Sequence, residues 1–474
     1  MLSNAYALRR PGYLATGIVA LAFSLSVAAF VLLLVGGEYR GPLFRLDRLS
    51  GLMALLVTGI SLVVHAFSVQ YMDGDPGYRR FFAWLLAVTA AVSCMALANN
   101  LVVFAAGWIG TSIALYELQV HYRERPQALA AARLMRRAHL IGDVALAAGC
   151  VVLAVVTGQT RIDAIATNAT TIPGLPLTIA VALFAIAGWS KSAQLPLHGW
   201  LPETLEAPTP VSALMHAGIV NAGGFLLVRF SAVVVHAQLV TIVIFAVGAM
   251  TALWGNATML VRSDMKRGLA YSTMGQMGYM TMQCGLGAFP AAFLHLIAHG
   301  IFKATLFLGS GSVVHDFKRA QREAQQTLRR SPRFRAVVAL VFASATGWAT
   351  LVSPLGRALP PYGWVLMAFA MLTCAQAVFA LIRRGSLPEY IGALLVAAAL
   401  PVYALLILWF DRFLGNDFNA AAIVVPTPVV AATIGVFTIV LIAGWGIIRT
   451  PQAIRDRVYV WLLNERLPLR GFLQ

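Results

Sequence analysis

The chain has 474 residues, 59% of them apolar and 11% charged, with mean hydropathy +0.79. That composition excludes a soluble globular enzyme, a disordered chain and a disulfide-stapled secreted domain, and long unbroken apolar runs exclude an outer-membrane barrel, whose strands alternate. The formal net charge of +17 would suggest nucleic acid in a soluble protein. In a membrane chain it reflects arginine-rich cytoplasmic loops, and no nucleic-acid partner is expected.

At roughly 20 apolar residues per spanning helix, the apolar content fills about fourteen spans. Arg9 and Arg10 precede a run over 13–35, too long for a signal-peptide core and without a cleavage site, so it is read as a retained span. Further runs cover 51–72, 80–98, 101–121, 137–157, 177–195, 209–234, 237–261, 267–285, 289–314, 335–353, 362–382, 388–410 and 427–448. Loop charge checks this count. With the N-terminus inside, the cytoplasmic segments hold 26 of the 35 cations and the outer loops 6, a bias that a wrong span number would scramble. The expected location is the bacterial inner membrane with both termini cytoplasmic.

The basic 315–334 loop is helix-compatible. The tail alternates Arg455, Arg457, Arg466 and Arg470 with Val458, Val460, Trp461 and Leu462. It suits an amphipathic helix on the cytoplasmic face, either a surface anchor or a partner-docking segment. The predicted organisation is one transmembrane domain over 1–450 followed by this tail over 451–474. Cys94, Cys150, Cys284 and Cys374 are isolated within apolar runs and form no zinc pattern.

Charges inside spans each need a reason. Only four cations are lysines, and of the three within spans, Lys191, Arg229 and Lys303, two are lysines. Arginine stays protonated, whereas lysine can exchange its proton. Lysine therefore stands where reversible protonation would matter, or where a long cation fills a packing need. Pro196 follows Lys191 by five residues and breaks the helix ladder, which predicts a discontinuous helix beside a cavity. Asp143 lies alone in its span with Lys191 as the counter-ion on offer. The two form either a proton-moving pair, in which the charge of one alters the other's hold on its proton, or a structural ion pair. His216 begins the next span. His295, His299 and Lys303 are spaced i, i+4, i+8 and share a helical face; no nearby carboxylate or cysteine completes a zinc site, so no metal is assigned and a polar stripe lining a water wire is read. Glu117 and His121 are either a proton entrance or interfacial residues, and His65 is read as packed.

Four segments carry a family resemblance: DRLSGLMALLVTGISLVVHAFSVQYM, GWSKSAQLPLHGWLPETLEAPTPVSALMHAGIVNAGGFLLVRF, SDMKRGLAYSTMGQMGYM and HLIAHGIFKATLFLGSGSV. Over roughly 45–320, the antiporter-like core, the chain resembles the antiporter-like membrane subunits shared by respiratory complex I and Mrp cation/proton antiporters. The resemblance implies an all-α polytopic fold of about 14 transmembrane helices with broken helices. It places Lys191 on a broken helix as a proton-translocating residue and His216, His295, His299 and Lys303 on its hydrophilic axis, and the position of Asp143 matches an acidic residue of the family. Two features depart from the pattern. Ile109 stands after Trp108 where pump subunits carry a glutamate, with Glu117 eight residues on. The segment LVFASATGWATLVSPLGRALPPYGW lacks the second broken-helix lysine. The front half-channel is kept and the exit half is not.

These departures, the short length, and phrases such as HYRERPQALAAARLMRRAHLIGD resemble DabB, the membrane subunit of the DAB inorganic-carbon accumulation family. That resemblance implies a DabA-like cytoplasmic partner similar to a zinc β-carbonic anhydrase, with zinc in the partner and no cofactor in this chain. Cation flow, of protons or sodium ions, would then drive conversion of CO2 to bicarbonate. Two alternatives stay open: an export subunit of a quinone-linked or Mrp-type complex, and a scaffold that has lost transport.

Overall fold

The computed structural model describes residues 2–262, 264–309, 332–384, 389–415 and 425–447. The basic 315–331 stretch and the tail from 448 lie outside the described residues. Helices α1 (Leu2–Gly36), α2 (Arg48–Tyr71), α3 (Tyr78–Leu97), α4 (Leu101–Gln119), α5 (Pro126–Thr157) and the short α6 (Ile162–Thr167) precede α7 (Gly174–Lys191). A non-helical segment leads to α8 (Thr209–Ala217), α9 (Ala222–Arg229) and α10 (Ser231–Val234). Then come α11 (Gln238–Val261), α12 (Met265–Gly285), α13 (Phe289–Leu308), α14 (Pro332–Val352), the one-turn α15 (Pro354–Arg357), α16 (Pro361–Arg384), α17 (Glu389–Leu414) and α18 (Thr427–Ile447). A two-residue antiparallel pairing of β1 (Tyr39–Arg40) with β2 (Arg45–Leu46) closes the α1–α2 turn.

Each of the fourteen apolar stretches meets a helix, and among the described residues nine helices are long and apolar enough to cross a membrane. The protein is an all-α polytopic membrane protein. Exposed Leu14, Ile18, Leu21 and Leu25 along α1 suit a lipid-facing surface. Two predicted boundaries move. Helix α5 starts at Pro126, eleven residues before its predicted span. Proline suits the first helical turn, and the alanine-rich run that follows propagates the helix, so Arg133, Arg136 and Arg137 ride on it. The predicted 209–234 span is interrupted between α8 and α9, at Gly218–Asn221.

The break after Lys191 also differs from expectation. Helix α7 ends at Ser192, and Ala193 takes a left-handed backbone with φ +50°. Pro196 therefore sits inside an already non-helical segment and does not kink a continuous helix. The Trp200 indole donates to the Ser190 carbonyl at 2.9 Å and folds this segment back onto the last turn of α7.

Small residues set the closest approaches. A Cβ on Gly248 would lie 2.4 Å from the Met282 nitrogen, and one on Gly278 would lie 2.4 Å from the Ala252 nitrogen. The α11 and α12 backbones thus touch directly, as in small-residue membrane interfaces. On α5, a Cβ on Gly142 would overlap the Ser190 hydroxyl of α7, so glycine brings the neighbouring Asp143 up to the end of α7.

The third in-span cation is structural. Asp47 caps α2 through Ser50 and is gripped by Arg45 and by Arg229, whose Nη1 donates to Asp47 Oδ2 at 2.8 Å, both side chains fully buried. Arg229 Nη2 also donates to the Ala96 carbonyl at 3.0 Å, so one guanidinium ties the end of α9 to the start of α2 and the end of α3. Burial alone would raise the Asp47 carboxyl; the Arg229 and Arg45 charges, with Ser50, outweigh it and hold it well below the usual carboxylate range.

Two stability effects are expected. Arg229→Ala leaves Asp47 with Arg45 alone and should lower stability in detergent by about 3–5 kcal/mol, as when one member of a buried ion pair is removed. A loss under about 1 kcal/mol would show that the triad acts like a surface pair. Gly278→Val should cost at least about 1–3 kcal/mol by forcing α11 from α12, whereas Gly268→Val, on the same helix with open space around it, should leave the monodisperse peak in size-exclusion chromatography unchanged.

Candidate functional site

The site residues fall into two buried groups. The first joins α4, α5 and α7. Lys191 is fully buried at the C-terminal end of α7, where the negative end of the helix dipole favours a cation. Its Nζ donates to the Trp108 carbonyl and to Thr111 Oγ1 and lies 4.2 Å from the centroid of the Trp108 ring, within cation–π range. Two of its three donors are thereby used.

Asp143 comes from the facing side of α5. Its Oδ1 accepts from Ser112 Oγ at 2.9 Å. Adjacent residues of α4 thus hold the two charges, Thr111 the ammonium and Ser112 the carboxylate. The two interact electrostatically, but no ion pair within contact distance joins them. The counter-ion relation expected from the sequence is present as a field and not as a bridge. Ile109 occupies the position after Trp108 and packs against the apolar core.

His139 also belongs to this group. It lies one turn before Asp143 on α5, is buried, and meets the Trp200 ring edge-on at 4.8 Å. Both ring nitrogens lack a protein hydrogen-bond partner, and Lys191 acts on it electrostatically. The i, i+4 spacing to Asp143 was the available sequence signal, and a single histidine on an apolar helix was not enough to single it out.

The second group joins α8, α12 and α13. The predicted stripe forms: His295 and His299 rings are 6.1 Å apart, and Lys303 is buried two turns from His295. Lys303 Nζ donates to the Leu269 carbonyl of α12 at 3.2 Å. The His216 ring stacks on Phe307 of α13 at 4.4 Å and 7°, and both His299 and Lys303 interact electrostatically with His216. Gly300 allows this: a Cβ there would lie 2.8 Å from the Ala217 carbonyl at the end of α8.

Among the described residues no hydrogen bond, ion pair or ring contact joins the two groups. A small, mostly apolar cavity of about 20 Å³, lined by Met53, Ile60, Val92 and Leu214 together with Ser61 and Asn221, lies beside the α8–α9 break. His65 is packed, its Nδ1 paired with the Ser61 carbonyl at 2.8 Å. Glu117 joins neither group. It pairs with Arg123 at 2.7 Å, six residues and about 9 Å along α4 from Thr111, so its expected place in the path is not supported by any contact. His121 pairs with Asp75 at 3.0 Å and its carbonyl accepts from Arg80. Together these residues tie the α2–α3 turn to the end of α4. Among the described residues no cluster of three His, Cys, Asp or Glu is placed to hold a metal ion.

Comparison with known proteins agrees with this architecture. The family described as NADH:quinone oxidoreductase/Mrp antiporter, TM, matches residues 98–382, and the NADH-ubiquinone oxidoreductase (complex I) chain 5 N-terminus matches 43–82. A probable inorganic carbon transporter subunit DabB1 of Halothiobacillus neapolitanus is 47% identical over 289 residues, covering 60% of this chain and 52% of that protein. NADH-quinone oxidoreductase subunit L of Mycobacterium tuberculosis is 34% identical over 375 residues, covering 78% of this chain and 57% of that protein. The chain therefore spans about half the length of these curated relatives. In fold it is similar to a chain of the Mrp complex from Dietzia sp., with TM-score 0.65 and 22% identity over 99% of this chain and 59% of that one. The family match over more than half of the sequence identifies the chain as a member of the NADH:quinone oxidoreductase/Mrp antiporter family of transmembrane subunits.

Proposed function

We propose that this antiporter-like membrane subunit conducts a cation, a proton in the reading favoured here, within an energy-coupled inorganic-carbon uptake complex. The carrying observation is Lys191, a fully buried ammonium at a helix break, held by a carbonyl and a hydroxyl and placed in the field of Asp143. Such a group can lose and regain its proton without breaking a contact ion pair. Asp143 and Lys191 act as the gating pair and His216, His295, His299 and Lys303 as the relay. The 47% identity to a carbon transporter subunit supports the coupling to carbon uptake. The partner in this reading is a cytoplasmic protein resembling a zinc carbonic anhydrase, which would carry the zinc and the CO2 chemistry. The chain sits in the bacterial inner membrane with both termini cytoplasmic.

The 34% identity to subunit L over 78% of the chain favours a second reading, an export subunit of a quinone-linked or Mrp-type complex. Quinone-dependent proton export by a purified complex containing this chain would establish it.

The test is growth at ambient CO2 of a carbonic-anhydrase-deficient bacterium expressing this chain with its cytoplasmic partner. Rescue is expected, and a protonophore should abolish it. Lys191→Ala should abolish it as well, by removing the exchangeable group. Rescue by Lys191→Ala and Asp143→Ala at wild-type level would sink the proposed path.

A second measurement separates charge from proton exchange. Lys191→Arg keeps the positive charge but holds its proton, so it should assemble normally and lose at least about tenfold in transport, the low end of what a positioned proton-transfer group contributes. Normal transport by this variant would make Lys191 a fixed structural cation.

A further inference from the structure

A proton path through the Asp143–Lys191 pair needs a group that exchanges protons with cytoplasmic water, and Glu117 is tied to Arg123 at the end of α4. Helix α5 offers another. His139 lies three residues beyond Arg136, about 4.5 Å along the axis, and Asp143 lies four residues further, about 6 Å. Arg136 and Arg137 are exposed, whereas His139 is 1% exposed. His139 and Asp143 share one face of α5. The imidazole therefore stands between the arginine-bearing turn and the carboxylate of the first group.

Contacts fix its surroundings. The Trp200 ring meets it edge-on at 4.8 Å, and the Trp200 indole N–H donates to the Ser190 carbonyl at 2.9 Å. A Cβ on Gly142 would lie 3.2 Å from the Ala187 carbonyl and would overlap the Ser190 hydroxyl, so residues 139–143 run along the last turn of α7. Trp200 thus spans from His139 to the residue before Lys191. The segment that carries Trp200 reaches the surface within six residues. Glu203 pairs with Arg267 at 3.7 Å and Glu206 with Arg125 at 3.3 Å, all four side chains partly exposed.

Among the described histidines, His139 alone has both ring nitrogens buried without a protein hydrogen-bond partner. A ring that only packed against Trp200 would need no nitrogens. A neutral imidazole brings one N–H and one lone pair, and leaving both unmet in the interior carries a penalty that bound water removes. Lys191 acts on the ring electrostatically. We infer that His139 exchanges protons between cytoplasmic water and the Asp143–Lys191 pair, through water bound at its two ring nitrogens. A water-borne proton binds one nitrogen, and the N–H bond of the other breaks toward the Asp143 carboxylate or the neutral Lys191 amine. The ring is left neutral, and exchange with its bound water restores the starting tautomer. This rests on the proton-conducting reading above.

The experiment uses membrane vesicles carrying the full chain with its co-expressed partner, potassium-loaded, with valinomycin imposing the potential and a trapped pH dye reading proton flux. His139→Phe keeps a ring against Trp200 and removes both nitrogens; His139→Ala leaves room for a free imidazole. Both should lower flux per assembled complex by about tenfold or more, with the melting temperature of His139→Phe in detergent unchanged. Added imidazole should restore flux to His139→Ala and not to His139→Phe, a recovery that a packing role does not give. The exchange role is overturned if His139→Phe stays within about twofold of wild type while Lys191→Ala is inactive, or if imidazole restores neither variant; the proton-conducting reading then stands. If Lys191→Ala conducts like wild type, or the wild type shows no flux, that reading fails and the role of His139 fails with it.

Discussion

A charge at bilayer depth costs several kcal/mol unless the protein hydrates or pairs it, and the fold around Lys191 is arranged by that cost. Helix α7 stops at this residue, so the ammonium meets the carbonyl end of a helix. The chain turns back at Ala193 with φ +50°, and Trp200 seals the bend against Ser190. Gly142 lets α5 come close enough to bring Asp143 and His139 alongside, while α4 supplies the Trp108 carbonyl, the Thr111 hydroxyl and an aromatic face. Each of these features would be a defect in a membrane helix carrying no charge. Together they make one buried cation tolerable.

The two kinds of buried cation are treated differently. Arg229 is locked by Asp47 and by the Ala96 carbonyl, both partners fixed at helix ends. That suits a side chain that is always charged and can grip several acceptors at once. Lys191 and Lys303 instead donate to backbone carbonyls, of Trp108 and Leu269, with no carboxylate in contact. The sequence uses arginine for 31 of its 35 cations, and on the proposed reading the choice of lysine at these two buried positions follows the division between fixed and exchangeable charge.

Much of this was legible before the structure. Apolar run length placed a helix at each of the fourteen predicted stretches, nine of them among the described residues long and apolar enough to span, because bilayer thickness constrains a membrane chain along its whole length. The His295–His299–Lys303 stripe followed from helical spacing alone. What could not be read depended on contacts distant in sequence. The sequence offers Pro196 as the helix break, but the reversal comes at Ala193, with φ +50°, where Trp200 bonds back to Ser190. The sequence offers Asp143 as the counter-ion of Lys191, yet α4 gives each charge its own hydroxyl partner, and Thr111 and Ser112 carry no signal in an apolar helix. Glu117, by sequence either a proton entrance or an interfacial residue, pairs with Arg123 at the end of α4.

The separate hydroxyl partners of the two charges bear on how such a site can work. If a contact carboxylate held Lys191, loss of the proton would strand a buried anion, at a cost of several kcal/mol. Carbonyl and hydroxyl acceptors are left only with an unpaired dipole, about 1–3 kcal/mol each, which the next proton restores. Asp143, held by Ser112 one residue from Thr111, still reaches Lys191 through its field. Its own protonation can thus bias the lysine without trapping it. On the proposed reading this explains why Asp143 is held by its own hydroxyl and makes no contact ion pair with Lys191: a contact pair would have to be broken each time the lysine lost its proton.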